Sequence, residues 1–372
     1  MYLDVRITEG LLDVACSVRV GTDEVFFSLA HSFSVYAVTD GGEPIFFESV
    51  PCEQDPFRPQ KNGYTVRNVK NGDIVIRYRG TVDWYFGYLR DDLIHFSYYN
   101  CWYPEEFMFE DGAEVSIHID DTWTVVGGTY DPGMELWRYH TPKKQRINDC
   151  NILALNRKYY SAVDSAYLNV FCKKGKEDIC QGYISLFRSV CDFYVSLYGK
   201  NKVEKTNLVF IDVPDRHGAY FRTGLIVNSN PPGLVPGERH GLAHEIGHAY
   251  GGGADTNSWE DWLNETTAEW SALLYDKEHD PEAYEKALNE HRQWHGNGPL
   301  RLREAGDARP DNVHETGTLI YEIIYRQYGN DAIKILLRTF DSLKDKNTDS
   351  FLDALRSGGK DVLADIICSF MS

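Results

Sequence analysis

The sequence predicts an α+β chain, with an antiparallel β saddle or sandwich first and a mostly helical domain with a small edge sheet after it. Three observations carry this. Up to about Cys172 the chain runs in short aromatic and β-branched segments; near Lys173 to Glu177 the apolar period changes from two to 3.6; and past Tyr275 the chain reads as helical to its end. At 372 residues the chain exceeds the usual size of one hydrophobic core, so we place two domains, 1–173 and 174–372.

The strand segments of the first domain are EVFFSLA (24–30), SFSVYAV (32–38), PIFFES (44–49), DIVIRY (73–78), LIHFSYY (93–99) and AEVSIHI (113–119). Turn signals such as Asp40-Gly41-Gly42 and Asn71-Gly72-Asp73 separate them. Their aromatics read as β-core residues. In the second domain Ile179, Tyr183, Leu186, Val190, Phe193, Tyr194 and Leu197 mark a helix that stops near Gly199. KTNLVFIDV (205–213) reads as a buried strand and GAYFRTGLIVNS (218–229) as a second one. Helical segments follow at 281–294, 316–329, 330–340 and 348–358, with a last apolar stretch to Phe370.

Charge excludes some function classes. A net charge of −18 leaves no basic face to neutralise phosphates, so no nucleic-acid partner is expected. The same charge repels an anionic membrane surface, and no run of about 18 apolar residues occurs. The eight cysteines are scattered without a C-x-x-C pair and read as small core residues. With no signal region at the start, a reducing cytoplasm is the expected location.

The chemistry is concentrated in GLAHEIGHAYGGG (241–253), which holds His244, Glu245 and His248 in the order H-E-x-x-H. On a helix, imidazoles four residues apart sit one above the other and can grip one ion, while the glutamate between them reaches a water without being a ligand. This is the pattern of a zinc hydrolase helix. Gly241 and Gly247 are poor helix formers, which suggests close backbone packing. A third ligand is expected from SWEDWLNETTAEWSALLY (258–275): Ser258 is a plausible N-cap, and Glu265 follows His248 after sixteen intervening residues. Glu269, one turn on, either orients a ligand imidazole or is a solvated surface glutamate. His240 continues the histidine stripe but lies about 12 Å along the axis from His248, too far to share the ion, so it reads as a packing or pocket-lining residue.

With these residues in view, the chain resembles the aminopeptidase N family of zinc metallopeptidases, within the gluzincin group. The likeness rests on HEIGH (244–248), WLNETTAEW (262–270), GAYFRTGL (218–225) in the place of the family's GAMENWGL, HETGTLIYEIIYRQYG (314–329), WYPEEF (102–107) and the ending TDSFLDALRSGGKDVLADII. The resemblance implies a β-saddle followed by a thermolysin-like catalytic domain, without the family's large C-terminal helical domain. It implies one zinc held by His244, His248 and Glu265, Glu245 as the base, and Gly218, Ala219, Tyr220 and Phe221 lining the path of a peptide substrate. Three departures stand out. The gap before the zinc glutamate is two residues shorter than usual in the family. Phe221 replaces the glutamate that binds a substrate's free amine. His314 replaces the tyrosine that donates to the tetrahedral intermediate, a role an imidazole N–H can also fill. The expected function is zinc-dependent peptide hydrolysis without the usual amine anchor. An endopeptidase or hydrolase of modified peptides, and a catalytically silent zinc-bound interaction module, remain open, as does the oligomeric state.

Overall fold

Alternation in YLDVRIT and LLDVACSVR makes the first hairpin. Tyr2–Thr8 and Leu11–Arg19 pair antiparallel with Leu3 opposite Cys16 and Val5 opposite Val14, so these four side chains share one buried face. The computed structural model describes residues 1–8, 10–54, 58–107, 112–141, 149–213, 218–303 and 306–371. It divides into two units, Met1–Ser161 and Ala162–Ser372.

In the first unit an eight-stranded sheet runs in the order 129–131, 136–140, 114–118, 2–8, 11–19, 73–80, 33–40, 43–44. The antiparallel expectation is corrected at one pair, because Tyr2–Thr8 and Glu114–His118 run parallel. A three-stranded sheet (24–30, 61–67, 47–50) and a four-stranded sheet (123–125, 152–156, 93–96, 88–89) complete the unit. LIHFSYY is a strand only over Leu93–Phe96. At Ser97 the backbone N–H bonds to Asn100 Oδ1 at 2.8 Å and the chain turns into a 3₁₀ segment. The aromatics are core, as expected: Trp102 is fully buried, stands edge-on to Phe96 at 4.7 Å and donates its Nε1–H to the Cys150 carbonyl at 3.0 Å.

The second unit is built on a five-stranded sheet in the order 160–164, 168–173, 206–210, 225–228, 219–222. Leu168–Lys173, Thr206–Phe210 and Leu225–Asn228 run parallel, with helix α1 (Glu177–Tyr198) connecting the first two. The sequence boundary at 173 therefore falls inside this unit, since periodicity identifies a strand but not the sheet it joins. GAYFRTGLIVNS is two strands rather than one. Gly224 adopts φ 74° and turns Ala219–Arg222 back against Leu225–Asn228, leaving 219–222 at the sheet edge.

Six further helices follow: α2 (Pro236–Gly247), α3 (Asp261–His279), α4 (Pro281–His295), α5 (Val313–Ser342), α6 (Thr348–Ser357) and α7 (Asp361–Cys368). The expected segments 316–329 and 330–340 join in α5 across a kink at Gly329, whose φ of 75° no helix accommodates. α3 is buried on nearly all sides and packs against α2, α4 and α5. Several of its buried polar groups find partners: Trp262 Nε1 donates to Thr348 Oγ1 at 2.9 Å, Trp270 Nε1 to the Thr318 carbonyl at 3.0 Å, and Ser271 Oγ meets Tyr198 OH at 2.6 Å. Among the described residues no helix is long and apolar enough to cross a membrane. All eight cysteines are unbridged, five of them buried.

Candidate metal centre and active site

Proline at the first position of α2 supplies a preset φ, and the helix then carries RHGLAHEIG toward the core. His244 and His248 lie one turn apart with their rings edge-on, centroids 4.8 Å from each other. His248 follows the last residue of α2 with helical torsions, and its N–H still reaches the His244 carbonyl at 3.3 Å. α2 approaches α3 through glycine: a Cβ on Gly247 would stand 2.9 Å from Ala268 Cα, and one on Gly251 would stand 2.7 Å from Thr267 Cβ. Close packing was the expected role of both helix glycines. Gly247 meets it, whereas Gly241 faces open space with no heavy atom within 4 Å.

α3 begins at Asp261, later than the Ser258 start expected from sequence; Ser258 instead accepts the Glu260 N–H at 3.3 Å in the preceding turn. Buried Asn264 fixes the connection from α2. Its Oδ1 accepts the Ala254 N–H at 3.0 Å, and its Nδ2 donates to the Ala254 carbonyl at 3.1 Å and to Asp261 Oδ1 at 2.7 Å.

This arrangement brings Glu265 between the two histidines. Its Oε2 lies 3.4 Å from His244 Nε2 and 3.5 Å from His248 Nε2, and the three residues offer donor atoms all within 4.8 Å of one another. Two ligands of one tetrahedral ion, each bonded at about 2.0 Å, stand about 3.3 Å apart. The observed separations match that value and exceed ordinary hydrogen bonds. Glu265 Oε2 is accordingly a buried oxygen with no hydrogen-bond partner among the described residues. Burial would raise its pKa, but His314, His248 and His244 outweigh burial and hold the carboxylate well below the ordinary range. The donor set fits a zinc ion.

Glu269 is buried, not a surface glutamate. Its Oε2 accepts from His244 Nδ1 at 2.8 Å, while Oε1 accepts from His240 Nε2 at 2.9 Å and His291 Nε2 at 2.7 Å. With Nδ1 engaged by Glu269, His244 can reach a metal only through Nε2. His240 packs as expected, and it also has a specific job. Its two ring nitrogens face carboxylates of Glu269 and Asp276, the latter at 2.6 Å, so both carry hydrogen; against the cost of burial, these partners push its pKa up to about 10.

Glu245 turns from the ligand face. It is 7% exposed, its Oε2 has no hydrogen-bond partner among the described residues, and its pKa is pushed up to about 7. Desolvation is the main cause; His244 and Arg222 oppose it and Glu265 adds to it. That value suits a group that takes and returns a proton near neutrality.

His314 sits in the first turn of α5 with Nδ1 3.3 Å from Glu265 Oε2 and Nε2 3.3 Å from Arg309 Nη2. An arginine only donates, so Nε2 accepts and Nδ1 carries the proton on the side of the metal ligands. Arg309 is itself braced by Asp261 Oδ2 at 2.7 Å. On the edge strand, Gly218 (φ 87°) presents its carbonyl to Ser229, with the backbone N–H at 2.9 Å and Oγ at 2.8 Å; Ala219 opposes Asn228, Tyr220 is buried, and Phe221 packs partly into the core. Arg222 places its guanidinium 4.8 Å over the Tyr220 ring.

The fold is that of the M1 zinc metallopeptidases. Leukotriene A4 hydrolase from Saccharomyces cerevisiae, solved in complex with bestatin, superposes with a TM-score of 0.69 at 15% identity over 98% of this chain and 65% of that one. An M1 zinc metallopeptidase from Deinococcus radiodurans, solved as a mutant bound to a Tyr-Ser-Ala substrate, gives 0.66 at 14% identity over 100% of this chain and 93% of that one. A two-domain M1 zinc metallopeptidase mutant bound to L-tryptophan gives the same figures, 0.66 and 14%. The chain thus spans about two thirds of the yeast hydrolase. No protein-family model and no curated protein matches the sequence. Within this M1 fold, four residues of the site escaped the sequence reading: His291, Asp276, Asp261 and Arg309. His291 and Arg309 come from positions distant in the chain, whereas Asp261 and Asp276 lie on α3 with Glu265 and Glu269; only His291 had a sequence signal, as a histidine on an otherwise regular amphipathic helix.

Proposed function

We propose that this protein is a zinc-dependent peptidase that cleaves peptide bonds. The observation that carries the reading is the meeting of His244, His248 and Glu265 donor atoms within 4.8 Å, beside a buried Glu245. When bound there, zinc supplies a Lewis acid for the scissile carbonyl and for water. Glu245 accepts the proton of the attacking water and delivers it to the leaving amine. His314 donates its Nδ1–H to the oxyanion that develops beside the ligands. Glu269 holds His244 in the tautomer that leaves Nε2 free, and Arg309 holds His314. The edge strand 218–222, including Gly218, Ala219, Tyr220 and Phe221, supports an extended peptide through its outer backbone edge.

The test separates metal from base. Wild-type protein is expected to carry one zinc per chain; Glu245→Gln retains zinc and loses turnover, and Glu265→Ala loses zinc. Full activity in Glu245→Gln overturns the assignment of the base, and purified protein without stoichiometric metal overturns the reading as a whole.

One observation favours a narrower substrate. Phe221 is apolar and partly packed into the core, so this position of the edge strand offers no carboxylate to a free α-amine. N-blocked or internal peptide bonds are the expected substrates, and a pair of peptides differing only in N-acetylation distinguishes them from free N-termini.

A further inference from the structure

α2, α4 and the start of α5 enclose a cavity of about 420 Å³ whose floor is His240, Glu269 and His291 and whose wall includes His314. Two of these residues also belong to the metal centre: Glu269 bonds His244, and His314 stands 3.3 Å from Glu265. The cavity therefore adjoins the candidate metal ligands, through His314 beside Glu265 and through Glu269 behind the His244 ring. It is distinct from the edge strand, which contributes none of its lining.

The balance of donors and acceptors shows what the cavity lacks. Glu269 is saturated by three imidazole N–H groups, and its charge is compensated by doubly protonated His240. Lys286 and Glu290 offset each other at 3.9 Å. What remains is acceptor capacity. Glu315 lines the cavity and makes no ion pair among the described residues. His291 is 7% exposed and its Nε2 is taken up by Glu269 at 2.7 Å, so its ring adds no free cation to the floor. Trp294 is 67% exposed and stands edge-on to the His291 ring at 5.9 Å, leaving an indole face at the cavity mouth. Ala283 and Ala287 give the wall between them an apolar surface. A carboxylate and an aromatic face around an apolar wall match a cationic head on an aliphatic stem.

We propose that this cavity is a side-chain pocket of the active site and that it selects a basic residue, lysine or arginine, next to the bond that is cut. The proposal rests on the peptidase reading for the identity of the ligand. It is tested on the zinc-loaded full chain carrying Glu245→Gln, by calorimetric titration with N-acetylated alanine octapeptides that carry lysine, norleucine or glutamate at successive positions. At one position lysine is expected to bind about tenfold more tightly than norleucine, with glutamate weakest. Glu315→Gln and Trp294→Ala, each introduced separately and checked for an unchanged fold by circular dichroism, are expected to erase most of that ratio. Equal binding of lysine and norleucine, a preference for glutamate, or a lysine preference that survives both substitutions overturns the pocket. Hydrolysis of the same peptides by the wild-type chain keeps the two readings apart. Cleavage without basic preference upholds the peptidase and overturns the pocket, whereas selective binding of lysine peptides without any cleavage upholds the pocket and overturns the peptidase.

Discussion

Gly247 is where fold and metal site are most tightly coupled, and Gly247→Ala tests that coupling. The added Cβ would sit 2.9 Å from both Ala268 Cα and Ala268 O, where ordinary contact begins at 3.4 Å. Both obstacles are backbone atoms that no rotamer change can move, so α2 and α3 must part by roughly 0.5 Å. Metal–ligand distances tolerate about 0.2 Å, and the ligands are divided between these two helices, His244 and His248 on one side and Glu265 on the other. Overpacking of this kind costs about 1–3 kcal/mol, offset by up to about 1 kcal/mol from alanine's better helix propensity. The expected outcome is a net loss of about 1–2 kcal/mol in the metal-free protein and a zinc affinity at least tenfold weaker. Gly241→Ala is the matched control, on the same helix with no heavy atom within 4 Å of the new Cβ. It is expected to bind zinc normally and to gain up to about 1 kcal/mol. Scanning calorimetry gives the stabilities and competition with a chelating dye gives the zinc dissociation constants. A Gly247→Ala protein that binds zinc within twofold of wild type, or two variants that behave alike, would refute the reasoning.

Three further outcomes follow from other contacts. Glu269→Ala removes the acceptor that fixes the His244 tautomer and is expected to weaken zinc binding about 10- to 100-fold, read with the same dye; unchanged affinity would remove Glu269 from any positioning role. Asn264→Ala strands the buried N–H and carbonyl of Ala254, and a loss of about 2–4 kcal/mol is expected in urea denaturation. In the first unit, Asp40 Oδ2 accepts the N–H groups of Lys70 at 2.7 Å and Asn71 at 2.9 Å, which hold its pKa below the ordinary carboxylate value of 3.8. A depressed folded pKa gives stability that is fully present above 3.8 and disappears as pH falls through the folded value. The stability gap between wild type and Asp40→Asn is therefore expected at neutral pH and should close in acid; a gap independent of pH would contradict the assignment.

The cluster of His244, His248 and Glu265 was legible because it is written locally. Four-residue spacing puts His244 and His248 on one helix face whatever surrounds them, and WLNETTAEW is an unmistakable helix within reach of a short glycine turn. Glu269 was legible as a candidate but not as a choice: helix periodicity places it one turn from Glu265, and only the arrival of His240, His244 and His291 around it separates a buried tautomer-setting carboxylate from a solvated one. The 218–229 segment shows the limit for strands. Its apolar content was plain, yet the reversal at Gly224 depends on a positive φ that Gly218 and Gly224 can both adopt and composition does not assign.

By itself, then, the chain order determined which elements form, which residues are apolar enough to be buried, and which three side chains have the chemistry of zinc ligands, because each of these follows from short-range geometry and residue type. Tertiary structure decided the rest. It set the close approach of α2 and α3 at Gly247, where an added Cβ would stand 2.9 Å from Ala268, the sheet that strand 168–173 joins, the rise of the Glu245 pKa, and the convergence of His291 and Arg309 from remote segments. Those depend on distances and desolvation between parts of the chain that carry no record of one another in their spacing.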